Sequence, residues 1–303
     1  MGQCGDERTE PRTNGRTVIA ARVMGLAVWR VARIILLAYL GLLLVLMWFE
    51  ETFIFVPAKH PAGDWQPAGL EFEDTWIETA DGVRLHGWYV EHPSPRAVIL
   101  FNHGNAGNVT NRVGILHALT RHVGASVLVY DYRGYGRSGG KPNEKGLYAD
   151  ARAARAWLAE RAGVESDEIV LMGESLGGAV AVELAASDGC RALILDSAFT
   201  SAPDMATLLF PFIPARLLMR NRFDSIGKIG RYAGPLLQCH GTRDTIVPFT
   251  QGERLFAAAE AARPKRFMPM PGLDHNDSRP AAYYDAVREF LGQLPPRGQS
   301  AIP

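Results

Sequence analysis

Between residues 72 and 295, short apolar runs alternate with segments of helical periodicity. The runs have few polar positions, as expected of strands that are buried on both faces of a sheet. The segments between them carry apolar residues three and four apart, as in Leu147 to Ala162 and Gly252 to Ala262. This alternation predicts an α/β fold, with a mostly parallel central sheet and helices on both faces. The predicted strands are residues 97–102, 126–131, 168–173, 192–197, 235–240 and 266–270.

The segment that precedes the first of these strands has a different pattern. In DTWIETADGVRLHGWYV, apolar and polar residues alternate on both sides of Asp81-Gly82. A period of two indicates strands, and Asp-Gly is a favoured hairpin turn. We therefore expect an antiparallel hairpin at the N-terminal end of the sheet.

A continuous apolar run lies near the N-terminus of the chain. No charged residue occurs from Ile34 to Phe49, a run slightly shorter than the ~20 residues of a typical membrane span. Arg30 and Arg33 share one helix face, where their long side chains can reach the headgroups and extend the span inward. We predict an uncleaved transmembrane anchor over residues 34–56. A cleaved signal peptide and a buried helix are the alternatives.

Charge predicts the orientation of this anchor. Six arginines and three acidic residues precede the apolar run. Positive residues favour the cytoplasmic side of a membrane, so the N-terminus is predicted to be cytoplasmic and the rest of the chain extracytoplasmic. Over the whole chain Lys plus Arg equals Asp plus Glu, at 32 each, so nothing indicates a nucleic-acid partner.

These patterns divide the chain into regions. Residues 1–33 are predicted to be a basic cytoplasmic tail, and residues 57–71, which are rich in Pro and Gly, a linker. The α/β domain is expected at 72–295, followed by a flexible tail at 296–303. Within the domain, residues 202–234 are the only long connection without a predicted strand, and we expect them to form a small cap-like connection.

A lone serine stands where the strand at 168–173 gives way to a helical segment. The sequence there is GESLG (173–177), which has the pattern G-x-S-x-G. Small residues are also common in ordinary tight turns, so the pattern alone is weak. Its place between a strand and a helix favours a nucleophile elbow, in which a strained turn exposes a serine hydroxyl. Ser175 is therefore the candidate nucleophile.

A nucleophile on such a sheet should be followed in the chain by an acid and then by a histidine. Of the two histidines after Ser175, His240 ends a strand and is interpreted as a cap of the sheet edge. His275 lies in the polar loop PGLDHNDS after the last strand. Ligands bind beyond the carboxyl ends of strands in open α/β sheets, so His275 is the predicted base. For the acid we prefer Asp244, in the loop GTRDTIVP, over Asp196 at the end of the preceding strand.

An acyl-transfer site also needs hydrogen-bond donors for the developing oxyanion. The backbone N–H of Leu176, in the first turn of the helix after the serine, is one candidate. The other candidate is the backbone N–H of Asn105 in HGNAGN, with Ala106 as the alternative. His103 precedes the serine in the chain, and we expect it to lock this loop by hydrogen bonding.

The sequence indicates neither a cofactor nor a metal. Cys4, Cys190 and Cys239 form no C-x-x-C pair, and the histidines lack metal-ligand spacing. Residues 134–139 match the dinucleotide pattern G-x-G-x-x-G, but Pro142 follows before the next helix and the stretch is not in the first strand–helix unit. We interpret it as a glycine-rich loop near the site.

Five ordered motifs resemble the α/β-hydrolase superfamily: HGNAGN, DYRGYGRSGG, GESLGG, HGTRD and DHND. They are most similar to its membrane-anchored, lid-poor serine hydrolases, a group that includes protein depalmitoylases and is also described as peptidase-like. The resemblance extends from about Ile34 to Leu294, and it implies an α/β-hydrolase fold with a Ser-His-Asp triad. One position departs from the group: Asp274 stands before the histidine, where the group usually has Gly.

The sequence therefore predicts a serine hydrolase that cleaves carboxylic esters or thioesters through an acyl-enzyme. A serine peptidase or amidase on the same fold and a catalytically silent, membrane-tethered binding module are the alternatives. The expected partners are a small or lipid-like ester and the membrane. Apolar residues of the cap-like connection favour short to medium acyl chains: Leu208, Leu209, Phe210, Phe212, Ile213 and Leu217.

Overall fold

The computed structural model describes residues 15–295, without the side chains of residues 15–18 and 21. Within it the chain divides into an N-terminal unit that ends at Glu50 and a compact unit that begins at Glu51. The predicted flexible tail at 296–303 and the first part of the predicted basic tail lie outside the described residues.

The N-terminal unit is dominated by one helix, α1 (Gly15–Trp48). This helix begins before the predicted anchor, and no proline interrupts it. Its 27 residues Arg22–Trp48 form a candidate membrane span, within which an 18-residue window has a mean hydropathy of 2.4. At 1.5 Å per residue this stretch is ~40 Å long, which exceeds the ~30 Å of a hydrocarbon core. The charge-free run is therefore the C-terminal half of a longer helix.

The described part of the compact unit contains ten strands, of which eight form one sheet. The strands are β1 (Val56–Pro57), β2 (Glu73–Glu78), β3 (Arg84–Val90), β4 (Ala97–Asn102), β5 (Ala106–Gly107), β6 (Ala125–Tyr130), β7 (Val170–Glu174), β8 (Ala192–Asp196), β9 (Leu236–Gly241) and β10 (Lys265–Met270). The order in the large sheet is β10-β9-β8-β7-β4-β6-β3-β2. β3 runs antiparallel to both of its neighbours, and the other pairs are parallel. β1 and β5 form a separate parallel pair.

Helices connect the strands. Those after α1 are α2 (Glu50–Ile54), α3 (Val113–His117), α4 (Glu144–Ala162), α5 (Leu176–Asp188), α6 (Ala202–Leu209), α7 (Ala215–Leu218), α8 (Ile226–Ile229), α9 (Phe249–Ala258) and α10 (Ala281–Gly292). Short 3₁₀ turns occupy Val109–Arg112 and Ser166–Glu168, and a π turn occupies Ala118–Val123.

Two hydrophobic clusters cover the two faces of the sheet. Leu100 belongs to the cluster that contains residues of α4 and α5, whereas its neighbour Ile99 belongs to the cluster that contains residues of α3 and α10. Successive side chains of a strand point to opposite faces, so β4 is buried from both sides. The predicted mostly parallel sheet with helices on both faces is confirmed, as is the hairpin about Asp81-Gly82. Each predicted strand lies within two residues of its observed bounds.

The segment predicted as a linker, 57–71, belongs to the compact unit. Trp65 and Leu70 are buried in one of the hydrophobic clusters, and Pro57 lies in β1. The compact unit therefore starts earlier than residue 72, because these apolar side chains pack on the sheet.

Candidate active site

Ser175 is the single residue between β7 and α5, and its backbone is strained. Its φ is 52° and its ψ is −115°, a region that residues with a Cβ rarely adopt. Such conformations cost ~1–3 kcal/mol and cluster at functional sites. The N–H of Ser175 donates to the carbonyl O of Asp196 at 2.9 Å. The carbonyl O of Ser175 accepts a hydrogen bond from the N–H of Gly178, also at 2.9 Å. Hydrogen bonds therefore hold the backbone of the turn through both the N–H and the carbonyl O of the serine.

The two glycines of the G-x-S-x-G pattern permit a close approach of backbones. A Cβ at Gly173 would lie 2.3 Å from the carbonyl O of Gly177, and a Cβ at Gly177 would lie 2.0 Å from the carbonyl O of Asn102. Moving a side chain cannot relieve either clash, because the atoms that would be struck belong to the backbone. α5 therefore begins directly against the end of β4 and beside the loop that follows it.

The structure brings Asp244 and His275 together beyond the carboxyl ends of β9 and β10. His275 Nδ1 lies 2.7 Å from Asp244 Oδ2, and both side chains are buried. Asp244 Oδ1 accepts hydrogen bonds from the N–H groups of Ile246 and Val247, at 3.0 and 2.7 Å. Burial raises the pKa of Asp244, but hydrogen bonds from His240, His275 and the N–H of Val247 outweigh burial and hold the pKa well below its usual range. The carboxylate is therefore charged and able to orient the imidazole.

His240 is a second imidazole neighbour of Asp244, and sequence reasoning did not assign it that place. Its Nε2 lies 3.4 Å from Asp244 Oδ2 and 2.8 Å from the carbonyl O of Val247. A Cβ at Gly252 would lie only 2.4 Å from its Nδ1, so α9 confines the ring from the other side. The spacing of four residues between His240 and Asp244 is the sequence signal that could have indicated this contact.

Asp196, the alternative acid, bonds to an arginine. Arg279 Nε donates to Asp196 Oδ2 at 2.6 Å, and Arg279 Nη2 donates to the carbonyl O of His275 at 3.2 Å. Desolvation lowers the pKa of Arg279, but the charge of Asp196 and its hydrogen bond more than offset this, so the pKa is raised above its usual value. Asp196 therefore holds the backbone at His275 through Arg279, rather than accepting the ring N–H.

Asp274 connects the loops that carry the acid and the histidine. Its Oδ1 accepts hydrogen bonds from Thr245 N–H at 2.7 Å, from Thr245 Oγ1 at 2.9 Å and from His275 N–H at 2.7 Å. The backbone N–H groups of Thr245 and His275 are the main reason why the pKa of Asp274 is lowered. The carboxylate that replaces the usual Gly thus acts as a bridge, because Thr245 directly follows Asp244.

The HGNAGN segment after β4, which we call the Asn105 loop (103–108), lies beside Ser175. A Cβ at Gly104 would lie 3.7 Å from the Cβ of Ser175, which is ordinary van der Waals contact. His103 Nδ1 is 2.7 Å from the carbonyl O of Gly104. Burial, followed by the charge of Arg112, lowers the pKa of His103 to about 3, so its ring is neutral near pH 7 and Nδ1–H donates to that carbonyl. The ring therefore fastens the loop.

The predicted oxyanion donors belong to the two segments that meet at Ser175, namely α5 and the Asn105 loop. Leu176 opens α5, and the first N–H groups of a helix have no intrahelical partner. Asn105 and Ala106 lie in the Asn105 loop. Among residues 15–295, no group of three or more His, Cys, Asp and Glu could hold a metal ion. A serine, an imidazole–carboxylate pair and backbone N–H groups are the components of acyl transfer.

The chain is similar to proteins of known family. A family model for the alpha/beta hydrolase fold matches residues 97–224. An uncharacterized protein of Mycobacterium tuberculosis is 40% identical over 277 residues, covering 89% of this chain and 96% of that protein. Alpha/beta hydrolase domain-containing protein WAV2 of Arabidopsis thaliana is 32% identical over 83% of this chain and 90% of its own length. Alpha/beta hydrolase domain-containing protein 17B of Homo sapiens is 33% identical over 76% of this chain and 80% of its own length.

Solved structures share the fold. The Pyrococcus furiosus esterase Pf2001 superposes with a TM-score of 0.65 at 22% identity, covering 79% of this chain and 99% of that one. Est1E of Butyrivibrio proteoclasticus, with ferulic acid bound, gives a TM-score of 0.62 at 21% identity, covering 73% of this chain and 98% of that one. At these identities the likeness shows a common architecture.

Proposed function

Because the chain belongs to the α/β-hydrolase family, we propose that it is a serine hydrolase that cleaves carboxylic esters or thioesters. The observation that carries the proposal is the 2.7 Å contact between Asp244 Oδ2 and His275 Nδ1, at the same sheet edge as the strained Ser175. A buried carboxylate on Nδ1 selects the tautomer whose Nε2 has a free lone pair. That tautomer is the one a general base needs.

The reaction proceeds through two acyl transfers. His275 Nε2 takes the proton from Ser175 Oγ, and Oγ attacks the carbonyl carbon of the substrate. The tetrahedral intermediate collapses, the bond to the alkoxide or thiolate breaks, and His275 gives that leaving group its proton. Water, deprotonated by the same imidazole, then attacks the acyl carbon. The bond to Ser175 Oγ breaks, the imidazolium returns its proton to Oγ, and the carboxylic acid leaves. Asp244 stays ionised throughout and stabilises the imidazolium.

The N–H groups of Leu176 and Asn105 are the proposed oxyanion donors, with Ala106 as the alternative to Asn105. Donors of this kind contribute ~10²–10³-fold to the rate, because they are aimed at charge that develops only in the transition state. The closeness of Gly104 to Ser175 supports this assignment, because a substrate carbonyl attacked by Ser175 would lie next to the Asn105 loop.

The decisive experiment is labelling with a fluorophosphonate probe, which reacts with activated serines. We expect the wild-type chain to be labelled and Ser175→Ala to remain unlabelled. Ser187→Ala removes an exposed serine at the end of α5 and serves as the control, which should label like wild type. Equal labelling of Ser175→Ala and wild type would refute the assignment. A wild-type chain that neither reacts with the probe nor turns over any ester, thioester or amide would favour the silent binding module.

The cap-like connection supports a preference for short to medium acyl chains. Several of its large apolar side chains are exposed, so apolar surface is available where the chain leaves β8: Leu208, Leu209, Phe210, Phe212 and Leu217. One buried methylene is worth ~1–3 kcal/mol of discrimination, so kcat/KM should change in steps with acyl length. Faster cleavage of amides than of the matching esters would favour the peptidase alternative.

We also propose that α1 anchors the chain in a membrane, with the N-terminus in the cytoplasm and the hydrolase domain outside. The length and hydropathy of Arg22–Trp48 support a span, and the arginine excess before the charge-free run supports the orientation. A reporter fused after Pro303 that is active only in the cytoplasm would reverse the orientation. A mature chain that begins after Trp48 would identify α1 as a cleaved signal.

A further inference from the structure

The segment that enters the compact unit is hydrogen-bonded to the Asn105 loop. We call residues 54–63 the junction segment. Its strand β1 pairs in parallel with β5, which lies inside the Asn105 loop, and Ala58 N–H donates to the carbonyl O of Gly107 at 3.1 Å. The loop beside Ser175 is therefore one half of a small sheet whose other half is the junction segment.

Both asparagine side chains of the Asn105 loop reach carbonyl groups of the junction segment. Asn105 Nδ2 donates to the carbonyl O of Ile54 at 2.6 Å. Asn108 Nδ2 donates to the carbonyl O of Ala58 at 3.1 Å and to that of Ala62 at 2.9 Å. Donation of a backbone N–H to an oxyanion does not require an asparagine side chain, so these contacts give the two asparagines a separate role.

Further contacts join the junction segment to the Asn105 loop and to the residues just after it. Asn105 Oδ1 accepts from the hydroxyl of Tyr135 at 2.8 Å and from Val56 N–H at 3.3 Å. Gly63 approaches Thr110 so closely that a Cβ on the glycine would lie 1.9 Å from the Thr110 Oγ1 atom. The Asn105 carboxamide is thus held from three directions.

We propose that the junction segment positions the oxyanion-binding loop, and that Asn105 and Asn108 are the positioning residues through which it acts. This inference rests on the proposed hydrolase function. Backbone donors stabilise an oxyanion only when they are held in place, and a displacement of ~1 Å costs ~10²-fold in rate. β5 pairs with β1 rather than with the large sheet, so the part of the loop that contains Ala106 and Gly107 is bonded to the junction segment. The residues that connect α1 to the domain are therefore part of the catalytic apparatus.

The test compares Asn105→Ala and Asn108→Ala with Asn143→Ala in the full-length chain. Asn143 Oδ1 also accepts a backbone N–H, that of Gly146 at 2.8 Å, but it caps the start of α4. We expect the first two variants to lower kcat for p-nitrophenyl acetate by up to ~10²-fold with little change in KM. Asn143→Ala should keep the wild-type kcat.

Two additional measurements separate positioning from loss of folding and from failure of the proposed function. Tyr135→Phe keeps the buried ring and removes only the hydroxyl that donates to Asn105 Oδ1, and we expect a smaller fall in kcat. Amide hydrogen exchange of residues 104–108 should accelerate in Asn105→Ala but not in Asn143→Ala. This readout does not depend on activity, so it decides the role of the junction segment even if the wild-type chain hydrolyses nothing.

Unchanged exchange in the Asn105 loop of Asn105→Ala would overturn the proposal. Faster exchange with wild-type kcat in an active enzyme would also overturn it, because the loop would then tolerate the displacement. A fall in kcat of similar size in Asn143→Ala would show a general effect of lost stability and would count against positioning.

Discussion

The loop that carries the proposed base and the cap-like connection both leave the sheet at carboxyl ends of strands, yet they are constructed differently. In the histidine loop (271–280), polar side chains bond to each other and to the backbone: Asp274 to Thr245, Asp277 to the N–H of Asp274, and Arg279 to Asp196. In the cap-like connection, Phe212 and Leu217 are 86% and 85% exposed.

This difference separates two tasks. Hydrogen bonds are directional, so a loop held by several of them keeps an imidazole at a fixed distance and angle. The hydrophobic contacts of exposed apolar side chains are not directional, so such side chains can adapt to apolar groups of different shape. We therefore expect damage to the histidine loop to lower the rate for every substrate, and damage to the cap-like connection to depend on the acyl chain.

The largest expected effect comes from Asp244→Asn. An amide in place of the carboxylate can donate to His275 Nδ1 and so stabilise the wrong tautomer, and kcat should fall ~10⁴-fold. Steady-state kinetics with p-nitrophenyl acetate measures this. The control is Asp167→Asn, because Asp167 lies in the 3₁₀ turn before β7, whereas Ser175 follows the opposite end of that strand. A fall of less than tenfold would mean that another group orients the imidazole.

A smaller loss is expected from Asp274→Ala, which removes the bridge between Thr245 and His275. We expect kcat to fall for all acyl lengths alike, by less than the ~10²-fold cost of a 1 Å misplacement. Asp274→Asn retains an acceptor oxygen and should recover most of the rate. Equal rates for Asp274→Ala and wild type would show that the bridge is dispensable for catalysis.

Substitutions in the cap-like connection should have effects that grow with acyl length. Phe212→Ser combined with Leu217→Ser should leave acetate hydrolysis unchanged and lower kcat/KM for octanoate, since each lost methylene contact is worth ~1 kcal/mol. Trp76→Ser removes an exposed aromatic side chain on β2 and is the matched control. An equal change for acetate and octanoate would place the acyl group elsewhere.

The smallest expected effect is on acid stability. The pKa of Asp244 is lowered in the folded chain, so its charged form adds stability above the unfolded pKa of ~3.9, and this contribution is lost as the pH falls through the folded pKa. From about pH 4 downward, wild type should therefore lose unfolding free energy more steeply than Asp244→Asn. Thermal melts between pH 7 and pH 2 measure the two slopes, and parallel slopes would contradict the depressed pKa.

Much of the α/β domain could be predicted because its signals are local. A run such as AVILFN is buried on both faces, so its position in the sheet is visible in its own composition. Asp244 and His275 could be predicted from chain order and from their places after strands, and the structure brings these two side chains together. The strain at Ser175 was likewise indicated by the glycines on either side.

The contacts that were not predicted join residues that are far apart in the sequence. Asn105 and Ile54 are far apart in sequence, and a Pro- and Gly-containing stretch has the same composition whether it is a free linker or a bonded segment. The partner of Asp196 was unforeseen for the same reason, because Arg279 lies in a loop after a different strand. The type of a residue determines which groups it can bond to, whereas the topology of the fold determines which of those groups lies next to it.

The position of β10 at the edge of the sheet has a consequence for biosynthesis. His275 follows β10 and emerges from the ribosome long after Ser175, by ~5–20 s at usual elongation rates. The earlier strands can assemble in this interval, since β10 adds beside β9 without reopening the sheet. A nascent chain therefore carries the proposed nucleophile before the proposed base, so the proposed acyl transfer must wait until β10 and the loop after it have been made.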